Sequence, residues 1–366
     1  MNRLQNPDLL LRSRFRRGLT ILEVVVVLII LVVSAALFLP ATRSARGPAR
    51  KVQCLNNIKN LSVAVSNYQS NNGDRLPFLV NGDGVTGDSW CIQLLPLLDS
   101  AALARQLRDH RESVIVNGTP NLTLRPFACP EDEHNFRANG GLSYAANAGY
   151  LSDDVWGRPT ADLAATLDTL HTPGTLRLGG ESFEDRMALH SATGVFWRAI
   201  GAVDNSAQSA SERPRAPRMT GEAIQKGDGL TYTLLFAENI QSRNWASTNV
   251  NDIGFGLLVK SARDGSPQLS AATGRIGASG PLALDPGWKI YDDPKRNPSP
   301  NSNILAEPGT APRPSSQHSG GILNVGYTDG HAANLSEQID PSILARLITS
   351  QGERYGQQPV APNDIE

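Results

Sequence analysis

Cysteine and histidine are scarce in this chain. Its 366 residues include only Cys54, Cys91 and Cys129, with six histidines. Three cysteines are too few for a disulfide framework, and no CxxC spacing suggests zinc. Outside the cytoplasm, one bridge and one free thiol can form. Six scattered histidines would have to converge from distant positions to build a multi-histidine metal centre. Neither G-x-S-x-G nor H-E-x-x-H occurs, so two readable hydrolase signatures are missing. Aromatics make up 6% of the chain against 33 glycines and 24 prolines. That balance suits a loop-rich β domain better than a helical bundle. Net charge is also small: −1 overall, with +4 in residues 1–18 (five Arg, one Asp), which leaves −5 for the rest. No broad basic surface remains for nucleic acid. No internal repeat of solenoid length is visible.

Long apolar runs are almost as rare, and the one present organises the chain. Leu19 to Leu39 is 21 residues long and apolar except for Thr20, Glu23 and Ser34. A helix of that length rises about 30 Å, the thickness of a bilayer hydrocarbon core. Arg12, Arg14, Arg16 and Arg17 precede it and favour a cytoplasmic N-terminus. Arg43, Arg46, Arg50 and Lys51 on the far side weaken that argument. A signal peptide or a plain signal anchor is the simpler reading. Against it stand a run longer than a signal-peptide core and the lack of a small-x-small cleavage site. Glu23 is an ionisable group early in the span, where burial in lipid costs a few kcal/mol, on the order of 3.

The stretch RGLTILE resembles the type IV prepilin signal of pilins and type II secretion pseudopilins. The resemblance makes Gly18 the last leader residue, Leu19 the first mature residue (where Phe is usual) and Glu23 the fifth. Pro40 matches a helix-interrupting proline of such proteins. It implies cleavage by a prepilin peptidase, methylation of the new amino group, and a single-pass inner-membrane anchor with the ectodomain periplasmic or at the cell surface. Other pilin-like subunits are the implied partners, each packing through the N-terminal helix, with Glu23 pairing a neighbour's N-terminus.

Beyond the span, Val52, Leu55, Ile58, Leu61, Val65 and Tyr68 form an apolar helical stripe ended by Asn71-Asn72-Gly73. Gly47-Pro48 predicts a bend or unwound turn, placing a bend near 40–48. This part of the chain resembles the DUF1559 family of prepilin-type proteins. Its pattern is matched by Cys54, Asn56, Asn57, Lys59, Asn67, Tyr68 and Pro77, then by Ser89, Trp90, Leu95, Pro96 and Leu98. Cys129-Pro130, Ser143-Tyr144 with Asn147, and Asp228-Gly229 with Thr231, Thr233 and Glu238 continue it. A C-terminal His-x9-Asp-Gly signature corresponds to His318, Gly320, Gly321, Asp329 and Gly330, with ten residues between His318 and Asp329 rather than nine. Cys54 and Cys129 fit the family pattern and Cys91 does not, so the resemblance implies that any bridge joins Cys54 to Cys129.

Several segments are read from the residues themselves. Short helices are expected at 89–98 and 100–110, strands in LTYTLLFAENI and IGFGLLVKSA, and a hairpin turning at Asp329-Gly330. A helix capped by Asp340 should bury Ile343, Leu344, Leu347 and Ile348. The expected organisation is a leader at 1–18, a spanning and pilin-like helix at 19–72 and an ectodomain at 73–353. That ectodomain carries loop-rich insertions at 151–227 and 264–317, and a disordered tail follows at 354–366. The fold class is α+β, with the ectodomain built on antiparallel sheet.

His318 and Asp329 could form an acid/base pair or bind metal, but a hairpin-entry hydrogen bond and a turn explain both without chemistry. Asp83 and Asp88 offer hard oxygen donors of the kind Ca²⁺ favours, yet they lack EF-hand spacing and read as a solvated turn. Asp228 and Glu238 need no metal either. Five tryptophans, Trp90, Trp156, Trp197, Trp245 and Trp288, could line a sugar-binding surface or anchor the core. The expectation is a structural subunit or accessory of a secretion, pilus-like or cell-surface assembly, with no catalytic residues, no cofactor and no metal. The alternative is an extracytoplasmic glycan- or solute-binding module.

Overall fold

The computed structural model describes residues 18, 20–44, 46–82, 87–152, 188–199, 218–260, 268–269, 299–302, 304–310 and 312–365. The chain divides into two compact units, Met1–Ala49 and Arg50–Glu366. Leu19, Asp83, Trp156, Trp288, the leader before Gly18 and most of both expected insertions lie outside the described residues.

In the first unit, α1 spans Ile21–Ser44. Thr20 and Glu23 begin it as a Thr-x-x-Glu start signal, with the Glu23 amide donating to Thr20 Oγ1 at 3.3 Å. Glu23 therefore has a local role at the positive end of the helix dipole. The large apolar side chains from Ile21 to Val33 are 44–86% exposed. Among the described residues no helix is long and apolar enough to cross a membrane, so the spanning helix expected over 19–39 is not supported by the structure.

A second helix, α2, runs Arg46–Asn71. Gly47 and Pro48 fall in its first turn instead of an unwound one, where the missing proline N–H breaks no helical hydrogen bond. From Arg50 onward α2 belongs to the larger unit rather than to the first. Cys54, Ile58, Leu61 and Val65 are buried, whereas Val52 is 56% exposed. The buried stripe is thus rotated slightly from the expected one.

The main sheet has strands β1 (Tyr144–Ser152), β2 (Leu234–Glu238), β3 (Gly254–Lys260), β4 (Gln268–Leu269), β5 (Ile322–Tyr327) and β6 (Ala332–Ser336). Among the described residues their order is β6-β5-β2-β1-β3-β4. The sheet is mixed, not antiparallel: β1 and β3 pair in parallel through Ala146↔Gly254 and Leu151↔Leu258. A connection of about a hundred residues between them permits this, as no hairpin could. The expected strand at LTYTLLFAENI shrinks to β2, and all five of its residues are buried. Its position between β5 and β1 explains why: both faces are covered, so alternation disappears.

One face of the sheet packs under α2 and the cluster around Trp90, which stacks near Phe236 (4.7 Å between centroids) and meets Phe127 edge-on (5.9 Å). Phe196 and Trp197 from the expected 151–227 insertion are buried too, so residues 189–198 belong to the interior. The other face is covered by α3, Pro341–Ile348, whose Leu344, Leu347 and Ile348 are buried. Asp340 caps α3 by accepting from Ser342 N at 2.7 Å.

Two C-terminal expectations change. The hairpin between β5 and β6 pairs Gly326 with Ala332, and Tyr327 N donates to His331 O. Its loop is therefore Thr328-Asp329-Gly330, three residues with Gly330 at φ 93°, rather than a two-residue Asp-Gly turn. The tail at 354–365 is ordered: Arg346 Nη1 donates to Pro359 O (3.0 Å) and sits 3.4 Å from Asp364, while Gln357 donates to Tyr150 OH at 2.9 Å.

Close approach of α2 to β5 depends on Gly326. A Cβ there would meet Ser62 Oγ at 2.5 Å and Ile58 Cγ2 at 2.8 Å. Gly326→Val should lower stability by about 1–3 kcal/mol through overpacking, read as a shift in the urea midpoint. An unchanged midpoint would mean that α2 is not held against this strand.

Candidate functional site

Several of the family-pattern residues, distant in sequence, meet at one buried junction where α2 crosses the sheet. Cys54 from α2 is joined to Cys129 by a disulfide, with Cα atoms 4.9 Å apart. Asn57, one turn further along, donates to Ala128 O at 3.2 Å and steadies the segment that carries Cys129. Ser143 donates to Asp132 at 2.8 Å and accepts from Cys129 N at 2.9 Å. Tyr144 OH donates to Cys54 O at 3.3 Å. Asn147 ties β2 to the end of α3, donating to Leu234 O and Ile348 O at 2.7 Å each.

His318 sits against this bridge. Its Nε2 is 2.8 Å from Glu238 Oε1, its Nδ1 contacts Glu131 Oε2, and its side chain is 1% exposed. Glu238 stands at the end of β2 and is held by Asn324 of β5, whose backbone N donates to Oε2 at 2.8 Å and whose Nδ2 donates to Oε1 at 2.9 Å. Asn334 on β6 fixes that amide's orientation by donating to Asn324 Oδ1 at 2.8 Å. Cys129 Sγ lies 3.8 Å from His318 Nε2.

A neutral imidazole donates from one nitrogen only, whereas imidazolium donates from both. With a carboxylate at each nitrogen, the charged form fits. Burial opposes that charge, but hydrogen bonds and charge from Glu238, then Glu131, outweigh it and hold the His318 pKa above its ordinary value. Burial raises the Asp132 pKa against the bonds from Asn135 and Ser143. It also raises that of Tyr144, with the Glu238 charge adding to the effect. Both His318 nitrogens are engaged, so no lone pair is free to take a proton from a substrate.

Asp329 is not part of this junction. It lies in the loop after β5, whereas His318 precedes the strand and its ring reaches Asn324 within it, at 2.9 Å from that amide. Asp329 bonds its neighbour His331, whose ring stacks on Tyr327 at 4.2 Å between centroids. The hairpin-entry hydrogen bond expected of His318 is thus replaced by contacts with two carboxylates, Glu131 and Glu238. Gly320 and Gly321 form the turn entering β5, both at positive φ. Asp228 accepts from Thr349 Oγ1 (2.6 Å), Gly352 N and Glu353 N (2.8 Å each), anchoring the chain after α3. Asp88 forms an ion pair with Arg111 at 2.7 Å. Cys91 is buried and burial pushes its thiol pKa up, so it remains an unreactive thiol. Trp90, Trp197 and Trp245 are at most 1% exposed and offer no sugar-stacking face.

Sequence reading missed Glu131, Asp132 and Asn324 as members of the junction. Glu131 follows the Cys-Pro pair by one residue and looks like a surface acid. Asn324 alternates with Leu323 and Val325, which suggests a solvent-facing position; burial of both faces of β5 reverses that.

Cys54, Cys129, Glu238 and His318 each offer a ligand atom, all within 4.8 Å of one another. While the sulfurs are bonded to each other, they are poor metal ligands, because the thiolate is the ligating form. A family model described as "Protein of unknown function (DUF1559)" matches residues 43–342. No curated protein and no solved structure matches the chain.

Proposed function

The chain belongs to the DUF1559 family, and on that premise we propose that it is a membrane-anchored, pseudopilin-like structural subunit of a secretion, pilus-like or cell-surface assembly. One observation carries this reading: α1 presents uncovered apolar side chains from Ile21 through Val33. Such a helix needs lipid or the helices of other subunits around it. The prepilin-like residues Gly18, Leu19 and Glu23 supply the route: cleavage by a prepilin peptidase, then packing against neighbouring N-termini in the inner membrane.

The ectodomain supports a structural role by its construction. Its most elaborate polar site is buried, bridged by a disulfide, and has both histidine nitrogens occupied. A glycan- or solute-binding role would look to the cavity of about 550 Å³ beside Gln69, Asp74, Gln225 and Asp329 or to that of about 240 Å³ beside Asn139, Arg243, Asn244 and Glu307, and none of the described tryptophans lines either.

The test uses the full chain in its native membranes. Gly18→Val should leave uncleaved precursor, and mature wild-type protein should begin at Leu19. Glu23→Gln keeps a residue able to start the helix but removes the charge. It should therefore preserve insertion and reduce recovery of cross-linked neighbouring subunits about tenfold, equivalent to about 1.4 kcal/mol of lost pairing. Equal recovery of wild type and Glu23→Gln would overturn assembly through that carboxylate. An intact Met1 terminus on mature protein would overturn processing.

A further inference from the structure

We propose that the Cys54–Cys129 bridge gates a divalent metal site: after reduction, the two thiolates, His318 Nε2 and Glu238 Oε1 form an S₂NO donor set for Zn²⁺. The four donor atoms lie within 4.8 Å of one another and all four residues are buried. Tetrahedral zinc, with bonds of about 2.3 Å to sulfur and about 2.0 Å to nitrogen or oxygen, holds its ligand atoms roughly 3.3–3.8 Å apart. The separation of Cys129 Sγ from His318 Nε2, 3.8 Å, already falls there. Binding requires the two bonded sulfurs to part and His318 Nε2 and Glu238 Oε1, now 2.8 Å apart, to open toward that spacing.

The surrounding hydrogen bonds suit this use. Glu131 contacts His318 Nδ1, so Nε2, which now meets Glu238 Oε1 at 2.8 Å and Asn324 Nδ2 at 2.9 Å, is the nitrogen that would turn to the metal in a carboxylate–histidine–metal relay. Asn324 orients Glu238 from its backbone and its side chain. Ser143 and Asn57 hold the segment carrying Cys129.

The chemistry balances with a dithiol as reductant. The dithiol gives two electrons and two protons to the Cys54–Cys129 bond, which breaks to two thiols while the reductant closes to its own disulfide. Zinc binding then releases both thiol protons and the Nε2 proton to solvent. Donors are two thiolates, a neutral imidazole and a carboxylate, the ligand types zinc prefers at four-coordinate sites.

Full-length protein in detergent micelles, with and without dithiothreitol treatment, should be titrated with Co²⁺ as the spectroscopic probe. Reduced protein is expected to take up one equivalent, with thiolate-to-cobalt charge-transfer absorption in the near ultraviolet and intense tetrahedral d–d bands. Zn²⁺ should displace the cobalt. Oxidised protein should show neither band. Glu131→Gln should weaken binding 10–100-fold without changing the spectrum, whereas Glu238→Gln should change the spectrum itself. Cys91→Ser should bind as wild type. Far-ultraviolet circular dichroism guards against unfolding: a reduced chain that loses structure should regain it with Zn²⁺. Failure to regain it, absence of a thiolate band after reduction, or the same cobalt spectrum in oxidised protein would each overturn the proposal.

Discussion

Replacing His318 with alanine should destabilise the folded chain by about 3–5 kcal/mol, the range for removing one partner of a buried ionic cluster. The imidazole separates Glu238, whose side chain is 2% exposed, from Glu131, 18% exposed. Alanine leaves two carboxylates facing each other with no cation, and Asn324 alone cannot compensate for Glu238. His318→Gln keeps a donor but no charge, so it should recover part of the loss. Urea midpoints at constant slope measure both. A loss below about 1 kcal/mol for His318→Ala would show that the ring acts as an ordinary polar contact.

The same residue gives stability a pH dependence. Its folded pKa is raised, so its contribution is fully present below the unfolded histidine value of about 6.5 and is lost as pH rises through the folded value. Wild-type stability should therefore decline on the alkaline side of about pH 6.5, and the His318→Gln profile should be flatter there. Parallel profiles would mean that His318 does not change protonation on unfolding.

The second large effect concerns the bridge. Cys54 and Cys129 are 75 residues apart in sequence, and closing a loop of that size restricts the unfolded chain by about 4 kcal/mol. The double variant Cys54→Ala/Cys129→Ala should lose about that much. Cys91→Ala leaves the bridge intact and should lose about 1 kcal/mol, the burial of one small group. Thermal melts of the three proteins, oxidised and at equal concentration, distinguish these. Similar losses for Cys91→Ala and for the double variant would show that packing, and not the crosslink, is what Cys54 and Cys129 contribute.

Much of the local structure could be read directly from residue order. The helical stripe on α2, the Asp340-Pro341 start of α3 and the turn chemistry at Gly330 are short-range signals, and each appears within a few residues of its expected place. Strand β1 was less legible: YAANAGYLS has small residues where strands usually carry branched ones, and packing of both its faces decides its conformation. The order of the tail depends on Tyr150 and Arg346, partners that no local signal within 354–365 specifies. The junction was half legible. Its cysteines, Ser143, Tyr144, Glu238 and His318 stand in recognisable motifs, but Asp329 stands there too and lies at the other end of a strand.

By itself, then, the sequence determined the apolar N-terminal helix and the α+β character of the larger unit, because both depend on local composition and periodicity. Tertiary structure alone decided that β1 and β3 run parallel, that both faces of β5 are covered, and that Glu131 and Asn324 complete the environment of His318. Those outcomes depend on which surfaces meet across separations of 6 residues for His318 and Asn324 and 187 for His318 and Glu131. The physical reason is that a buried charge is tolerated only beside its partners, and partners that far apart are brought together by the packing of the whole sheet.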